Sequence, residues 1–301
     1  YDPEYLSTPL PDGKLISDFD TAARLTVERF NSLVPFFWKV KKLLNVGSEK
    51  QLKTAADHIK STAQKIIRHK RHQIEASAAA ADDDLLSQFL TSSGNAPEFV
   101  TDAVVNFLFA GVDTISATLT WLFWLISKHP ETERNILDEI RRRDDPKKLV
   151  YTQAAICETM RLFPPVPTNT KIATADVVLP DGNRVKKGWA VTYHVYAMGR
   201  SEELWGKDSG EFRPERWLEK AAGGDEWSFV NRDSCSFPVF QAGRRMCMGK
   251  EMAFMEMKRV VAAVLRHFRV VPTLEDGAEP VYVAYLTSKM MGGFPVTIHT
   301  R

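Results

Sequence analysis

Apolar residues recur at helical spacing through most of the first half of the chain. Two segments, residues 18–46 and 49–76, have the period of amphipathic helices, and Pro35 breaks the first of them. The segment DLLSQFL at 84–90 predicts a further short helix, after a loose connection rich in Ala and Asp. The pattern therefore predicts a helical first part.

A longer apolar stretch, from about Ala96 to Lys128, predicts a single long helix. Asn95 suits the N-cap, and Glu98 completes a capping box. The stretch is long enough to suggest a membrane span, but Asp113 at its centre would cost about 2.5–3.5 kcal/mol in lipid. We therefore expect a buried central helix of a globular protein.

In the later part of the chain, the spacing of apolar residues changes from helical to strand-like. Residues 131–143 and 148–163 predict two more helices, and Pro164 and Pro165 end the second. Residues 177–188 predict a hairpin around Pro-Asp-Gly, WAVTYHVYAMG a further strand, and the tail from FRVVP to FPVTIHT a last hairpin region. Another amphipathic helix runs to about Phe268. We predict one domain, residues 1–301, that is mainly α with small β-sheets.

Composition and charge narrow the function classes only slightly. The 301 residues are 44% hydrophobic and 26% charged, and their formal net charge is +2. These values are typical of a globular protein with a substantial core, and they give no general case for nucleic-acid binding. The basic run RHKRH at 68–72 lacks interleaved aromatic and glycine residues, so we interpret it as a solvated helix face. No targeting signal is visible after Tyr1.

The cysteines are too few for a disulfide framework. Cys157, Cys235 and Cys247 are odd in number, and no two of them form a Cys-x-x-Cys pair. Such usage suits a reducing compartment and leaves at least one thiol for other chemistry.

The segment from Phe240 to Gly249, FQAGRRMCMG, places a cysteine directly before a predicted helix. Gly243 and Gly249 allow a tight loop whose backbone can approach a flat ligand closely. The helix dipole and neighbouring cations favour the thiolate form of Cys247. Those cations are Arg244, Arg245 and Lys250.

A thiolate at Cys247 could be a nucleophile or a metal ligand. A phosphatase-type loop would place an arginine six residues later, where this chain has Ala253, and no histidine lies in a recognisable cysteine-protease signature. Zinc would need further ligands, and only Cys235 is near in sequence. A single thiolate in a glycine-containing loop fits axial ligation of haem iron, with a buried inert cysteine as the alternative.

Two other groups of residues are ambiguous alone and become informative when they are considered together with this loop. Glu158 and Arg161 share one helix face, an arrangement that alone contributes only about 0.2–0.5 kcal/mol, and FRPERW with Arg216 follows downstream. The long helix carries Ala110-Gly-Val-Asp-Thr114 at its centre. Taken alone, a Ser/Thr-rich core helix with one satisfied aspartate would explain that stretch equally well.

Together these motifs resemble the cytochrome P-450 superfamily, whose haem-binding pattern Phe-x-x-Gly-x-Arg-x-Cys-x-Gly is matched at residues 240–249. The resemblance implies the P-450 fold, here truncated at the amino terminus. It implies haem b as the cofactor, Cys247 as the ligand to its iron, and a monooxygenase activity. It also implies that Arg245 holds a haem propionate and that Phe240 packs on the thiolate side.

The resemblance assigns roles to the other motifs as well. Glu158, Arg161 and Arg216 would form a buried network that holds the haem-bearing loop. Gly111 would leave room for dioxygen in the long helix, and Asp113 and Thr114 would deliver protons to it.

The segments VLPDGNRVKKGWAVTYHVYAMGR, LWGKD and FPVFQAGRRMCMGKEMAFMEMK are similar to plant members that hydroxylate fatty acids at or near the ω-carbon. The same group includes hydroxylases of jasmonoyl–amino acid conjugates. A lipophilic substrate is therefore implied. By family position, the substrate-facing residues are Phe109, Val166, Pro167, Thr168 and Leu286.

The resemblance also implies a partner and a location. Electrons would come from an NADPH-dependent cytochrome reductase with an acidic docking face. The chain would lie at the cytosolic face of the endoplasmic reticulum membrane, held by an anchor that is missing from these residues. The basic counterpart on this chain would comprise Arg244, Lys250, Lys258 and Arg259.

Two alternatives stay open at this point. One is a haem-thiolate isomerase or dehydratase that rearranges lipid hydroperoxides without dioxygen or reductase. Such enzymes typically lose the acid–alcohol pair or alter the cysteine loop, and both features are intact here. The other is a non-catalytic remnant of the family.

Overall fold

The computed structural model describes residues 13–32, 36–76, 84–92, 96–220, 226–273 and 278–301. Helices dominate these ranges, and the strands are short. The helices are α1 Lys14–Phe30, α2 Phe37–Leu44, α3 Gly47–Ala76, α4 Leu85–Thr91, α5 Pro97–Lys128, α6 Pro130–Arg142, α7 Val150–Leu162, α8 Val195–Met198, α9 Glu202–Trp205 and α10 Lys250–His267. The strands are β1 Asn169–Ile172, β2 Val177–Val178, β3 Arg184–Val185, β4 Ala190–Tyr193, β5 Leu218–Lys220, β6 Trp227–Phe229, β7 Phe268–Pro272, β8 Tyr282–Ala284, β9 Ser288–Met290 and β10 Val296–Thr300.

The chain forms two compact units, Tyr1–Val112 and Asp113–Arg301, and the boundary falls within α5. The prediction of a single domain over 1–301 stays a prediction. Pro35 and the predicted N-cap Asn95 lie outside the described residues.

In the first unit, α1 packs against α3. Apolar side chains at helical spacing, such as Phe19 on α1 and Ile59 on α3, are buried between them. Arg29 forms a bidentate ion pair with Glu49, with N–O distances of 3.1 and 2.6 Å.

Helix α2 turns most of its apolar side chains to solvent. Trp38 lies on the inner side, where its ring centroid is 4.6 Å from the guanidinium carbon of Arg29. The outer side carries apolar residues that are 38–86% exposed, and lysines flank them. These apolar residues are Phe36, Phe37, Val40, Leu43 and Leu44.

The second unit is built around α7. Nine consecutive residues of this helix, Ala154 to Leu162, are buried, and the apolar ones pack with residues from the last turns of α5 and from α6 and α10. Trp121 of α5 stacks on Phe163, with centroids 4.0 Å apart and planes 3° from parallel. The core therefore surrounds the helix that carries Glu158.

Five two-stranded antiparallel sheets occur in the described residues, with the pairings β1–β4, β2–β3, β5–β6, β7–β10 and β8–β9. The predicted hairpin at 177–188 and the predicted tail hairpin region are confirmed. The single strand predicted for WAVTYHVYAMG is wrong in its second half. The amides of Met198 and Gly199 donate to the carbonyls of His194 and Val195, so this half forms the helical turn α8.

Helix α5 is continuous, as predicted, but only its last turns are fully enclosed. Trp121 and Leu122 are buried, whereas Phe107 and Val112 are 43% and 41% exposed. The prediction of a buried central helix is therefore wrong for the middle. Apolar composition leads to burial only where other elements surround a helix, and the described residues do not surround this stretch. By length and composition alone, α5 is also the one described helix that could cross a membrane.

Candidate functional site

The cysteine loop is a compact structure between two short turns of 3-10 helix, Pro238–Phe240 and Gly243–Arg245, and α10. The amide of Cys247 donates to the carbonyl of Phe240 at 2.8 Å, which closes the loop. Gly243 has a φ of +68°, a conformation that L side chains rarely adopt. Cys247 itself is exposed, so its sulfur is accessible to a ligand.

Gln241 fixes this loop to the β1–β4 sheet. Its side-chain oxygen accepts from Lys171 Nζ at 2.7 Å and from the Tyr193 hydroxyl at 2.9 Å. Its amide nitrogen donates to Asn169 Oδ1 at 2.5 Å. Gln241 has φ 65° and ψ 179°, a region that costs a non-glycine residue about 1–3 kcal/mol. Sequence reasoning missed this residue, because the partners lie far away in sequence.

The remaining motif residues lie around the thiol. The ring of Phe240 packs against Phe254 of α10, with centroids 5.3 Å apart. A Cβ atom at Gly249 would lie 3.9 Å from Cys247 Sγ, an ordinary contact. Arg245 is exposed beside the cysteine. An accessible thiol next to an exposed guanidinium fits a haem, which offers a metal and anionic propionates.

The predicted trio of Glu158, Arg161 and Arg216 comes together in the second unit. All three are buried, with Glu158 and Arg161 at 0% exposure. Glu158 accepts two hydrogen bonds from the Arg161 guanidinium, at 2.7 and 2.8 Å, and one from Arg216 Nε at 3.1 Å. The backbone amide of Arg213 and the indole of Trp217 add two more, at 3.0 and 2.9 Å. Trp217 was not predicted as a member.

The two arginines use their other donors on backbone carbonyls. Arg161 bonds to the carbonyls of Gly199, Ser209 and Glu211. Arg216 bonds to the carbonyls of Trp205 and Asp208. Every nitrogen of the two guanidinium groups therefore makes at least one hydrogen bond, and the network joins α7 to the segment 199–217.

Asp208 extends the network toward solvent. Its carboxylate lies 2.9 Å from Arg216 Nη1 and 2.7 Å from Arg213 Nη1. The hydrogen bond from Arg216 holds the pKa of Asp208 below its usual value.

The acid and the alcohol predicted on α5 have different surroundings. Asp113 is buried, and its Oδ2 accepts from Thr287 Oγ1 at 2.8 Å, while Lys289 Nζ lies 3.8 Å from Oδ1. Thr114 is half-buried, and its carbonyl accepts from Thr118 Oγ1 at 2.9 Å. A Cβ atom at Gly111 would meet no described atom within 4 Å. Their roles in oxygen activation stay predictions.

The predicted substrate residues of the second unit lie on two connected segments. Val166 is half-buried, Pro167 is buried and Thr168 is exposed just after α7. Leu286 is 43% exposed at the tip between β8 and β9. Ser288 links the two segments, because its amide donates to Pro165 O and its hydroxyl to Pro164 O. Phe109 belongs to the first unit, where its ring lies 5.8 Å from that of Phe19.

The predicted basic face needs one correction. Arg244 and Arg259 are exposed and Lys250 is half-buried, but Lys258 is only 4% exposed. Lys258 Nζ donates to Gln153 Oε1 at 2.6 Å, and burial lowers its pKa. Helical spacing turns Lys258 inward against α7, so it cannot take part in an exposed docking surface.

Cys157 offers no rival site, whereas Cys235 is exposed like Cys247. Cys157 is buried in α7, and burial raises the pKa of its thiol, as expected for an inert cysteine. Among the described residues, no group of three or more His, Cys, Asp or Glu side chains is arranged to hold a metal ion.

Comparison with known proteins agrees with the motifs. The Cytochrome P-450 family model matches residues 14–286. Over the whole of this chain, cytochrome P-450 94A2 of Vicia sativa is 53% identical and cytochrome P-450 94A1 of the same plant is 50% identical. Cytochrome P-450 94B1 of Arabidopsis thaliana is 44% identical, also over the whole chain.

The chain belongs to the cytochrome P-450 family, which confirms the predicted membership and the mainly α fold with small sheets. It spans 60% of the length of each of these three relatives.

Proposed function

We propose that this chain is part of a haem-thiolate monooxygenase that hydroxylates a fatty acid or related oxylipin at or near the ω-carbon. The oxidant is dioxygen, and the electrons come from an NADPH-dependent reductase. The observation that carries the proposal is the accessible thiol of Cys247, in a loop fixed by the Phe240 carbonyl and by Gln241. Membership of the family supplies the chemical context.

Haem b fits the residues present. Cys247 would be the iron ligand, Arg245 the partner of a propionate, and Phe240, Gly243 and Gly249 would shape the loop. When bound, the thiolate-ligated haem supplies the activation of dioxygen. The Glu158–Arg161–Arg216 network holds the segment 199–217 rigidly against α7 and so supports the thiolate side of the fold.

Residues of α5 would leave room for dioxygen and deliver protons. Gly111 leaves open space beside the helix. The Thr114 hydroxyl would pass protons toward bound dioxygen, and the buried carboxyl group of the adjacent Asp113 would be the acid of the pair. Both roles match the family pattern from Ala110 to Thr114.

A lipophilic substrate is supported by the side chains on the segments that Ser288 joins. Val166 and Leu286 present apolar surface, and Pro167 and Thr168 complete the segment after α7. Phe109 on the first unit is the remaining candidate. An alkyl chain buries well against such residues and needs few polar partners.

The reductase would dock on the exposed cations near the cysteine loop. With Lys258 excluded, the proposed surface consists of Arg244, Arg259 and the half-buried Lys250. Complementary charge raises association rates more than affinity. Arg259→Glu should therefore slow reduction by the reductase, most clearly at low salt, and leave haem content unchanged. An unchanged reduction rate would contradict the docking surface.

The proposed location is the cytosolic face of the endoplasmic reticulum membrane. The outer face of α2 supports it, because exposed Phe37 and Leu43 lie beside Lys39, Lys41 and Lys42, the composition of a helix that lies in a lipid interface. Phe37→Ser with Leu43→Ser should weaken binding to vesicles that contain anionic lipid. Leu204→Ser, at an exposed leucine of α9, is the matched control. Equal binding of all variants would contradict the proposal.

Turnover decides between the proposed activity and the alternatives. The protein is incubated with haem, and its haem content is measured; it is then mixed with a reductase, NADPH and a fatty acid labelled at the ω-carbon. Reductase-dependent hydroxylation supports the monooxygenase. Rearrangement of a fatty-acid hydroperoxide without reductant would favour the isomerase or dehydratase, and failure to bind haem would favour a remnant.

A further inference from the structure

The turn that carries Leu286 is fixed by its two neighbours. Thr287 is 3% exposed and Ser288 is 0% exposed, whereas Leu286 beside them is 43% exposed. The amide of Tyr285 donates to Thr287 O at 3.2 Å, which closes the turn. One exposed apolar side chain is therefore followed directly by two buried residues that carry hydroxyl groups.

Each buried hydroxyl ties the turn to a different element. Ser288 Oγ donates to Pro164 O at 2.9 Å, as does the Tyr282 hydroxyl at 2.7 Å. Thr287 Oγ1 donates to Asp113 Oδ2 at 2.8 Å. The β8–β9 hairpin is thus held to the end of α7 on one side and to α5 on the other.

Asp113 is the charged member of this arrangement. Its side chain is 7% exposed, and the ammonium of Lys289 lies 3.8 Å from Oδ1. A hydrogen bond to a buried charge is stronger than one between neutral groups. The Thr287 hydroxyl therefore ties the turn firmly to α5, while the half-exposed Lys289 adds a weaker attraction.

We propose that Thr287 and Lys289 are positioning residues that hold Asp113 and thereby fix Leu286, which sets the carbon of the substrate that is attacked. The proposal rests on the proposed function, since it concerns regioselectivity. Because Leu286 lies directly next to Thr287, loss of the Asp113 bond would let the tip move while Ser288 keeps the rest of the hairpin in place. Neither residue belongs to the motifs that predicted the site.

The first test measures the clamp, by which we mean the attachment of the Leu286 turn to α5 through Thr287 and Asp113. It requires no catalytic turnover. Thr287→Val removes the hydroxyl at almost constant shape, Thr287→Ser restores it, and Lys289→Met removes the charge. Amide hydrogen exchange of the peptide covering residues 282–290 should become faster by about tenfold or more in Thr287→Val, the factor expected for one hydrogen bond to a charged group. Thr287→Ser should exchange like the parent, and Lys289→Met should lie between. Unchanged exchange in Thr287→Val would overturn the clamp.

The second test measures selectivity. The ratio of ω-hydroxylated dodecanoic acid to the in-chain products, with reductase and NADPH, should fall in Thr287→Val and return in Thr287→Ser. The KM should change less than this ratio, because the apolar contacts remain. Thr297→Val, at an exposed threonine of β10, is the matched control. Faster exchange with an unchanged product ratio would overturn the role in selectivity.

Failure of the proposed function is distinguishable from failure of this inference. If the parent chain hydroxylates no fatty acid, the proposed function fails, and the role in selectivity fails with it. The exchange measurement still supports or overturns the clamp in that case, because it needs neither haem nor substrate.

Discussion

Glu158 combines complete burial with five hydrogen bonds, so its carboxylate is the centre on which two buried arginines depend. Neither arginine could stay buried without an opposite charge, because an unpaired buried ion is strongly disfavoured. Removal of the Glu158 carboxylate therefore leaves both arginines without this shared charge partner and destabilises the whole network.

Glu158→Gln should consequently lower the free energy of unfolding by about 3–5 kcal/mol, the usual effect of removing one partner of a buried ion pair. Urea unfolding followed by circular dichroism measures it. Glu226→Gln removes a glutamate whose side chain is 86% exposed and pairs with Arg143, and should change stability by less than about 0.5 kcal/mol. Equal effects of the two substitutions would contradict the account of the network.

The charge on Asp208 should make stability depend on pH. Its native pKa lies below its unfolded value because of Arg216. The stabilisation is therefore complete above the unfolded pKa of about 3.9, and it is lost as the pH falls through the lower native pKa. Asp208→Asn should reduce stability at neutral pH and should flatten the loss of stability between about pH 5 and pH 2. If the free energy of unfolding of parent and variant depended on pH in the same way, the stabilising role of the Asp208 charge would be contradicted.

Residue-level prediction succeeded where spacing carried the signal. Glu158 and Arg161 share one helix face, and the cysteine loop has an ordered pattern of glycine, arginine and cysteine. Gln241, Thr287 and Lys289 could not be found in this way, because their partners lie far away in sequence. The inward direction of Lys258 was missed because a basic run near the cysteine suggested a common surface.

At the scale of elements, α8 is placed by close packing on α7. A Cβ atom at Gly199, directly after α8, would lie 2.0 Å from the carbonyl oxygen of Arg161. Only glycine allows this approach, which brings the Gly199 carbonyl to the Arg161 guanidinium.

Gly199→Ala should therefore force the two elements apart and lower the free energy of unfolding by at least about 1–3 kcal/mol. At Gly210, in the same segment, an added Cβ would meet no described atom within 4 Å, so Gly210→Ala serves as the control. Thermal and urea unfolding of both variants test this. A stable Gly199→Ala protein would show that the close contact is not required.

Helices with a regular spacing of apolar residues could be predicted from the sequence. Short elements that depend on pairing or packing with distant segments could not. The predicted helices at 49–76 and 148–163 correspond to α3 and α7. The short strands β1, β5 and β6 were missed. Strand β1 pairs with β4 across a long connection, and β5 and β6, which pair with each other, are too short to show an alternation of apolar and polar residues. HVYAM has β-forming residues, yet the packing of Gly199 selects a helical turn.

At the scale of the whole molecule, the sequence motifs and the core belong together in the second unit. Cys247, the Glu158 network, Asp113 and Leu286 all lie within Asp113–Arg301. The exposed apolar side chains of α2 and of the first half of α5 belong mainly to Tyr1–Val112. The membrane contact proposed for α2 thus belongs to the first unit, and the proposed thiolate site belongs to the second.

The carbon monoxide difference spectrum of the reduced, haem-loaded protein tests the thiolate most directly. The parent chain and Cys235→Ser, at the other exposed cysteine, should both show the red-shifted Soret band of thiolate-ligated haem. Cys247→Ser should lose that band while its far-ultraviolet circular dichroism stays unchanged, because the side chain is exposed. A thiolate band that persists in Cys247→Ser, or that is absent from the haem-loaded parent, would contradict the assignment of Cys247 as the iron ligand.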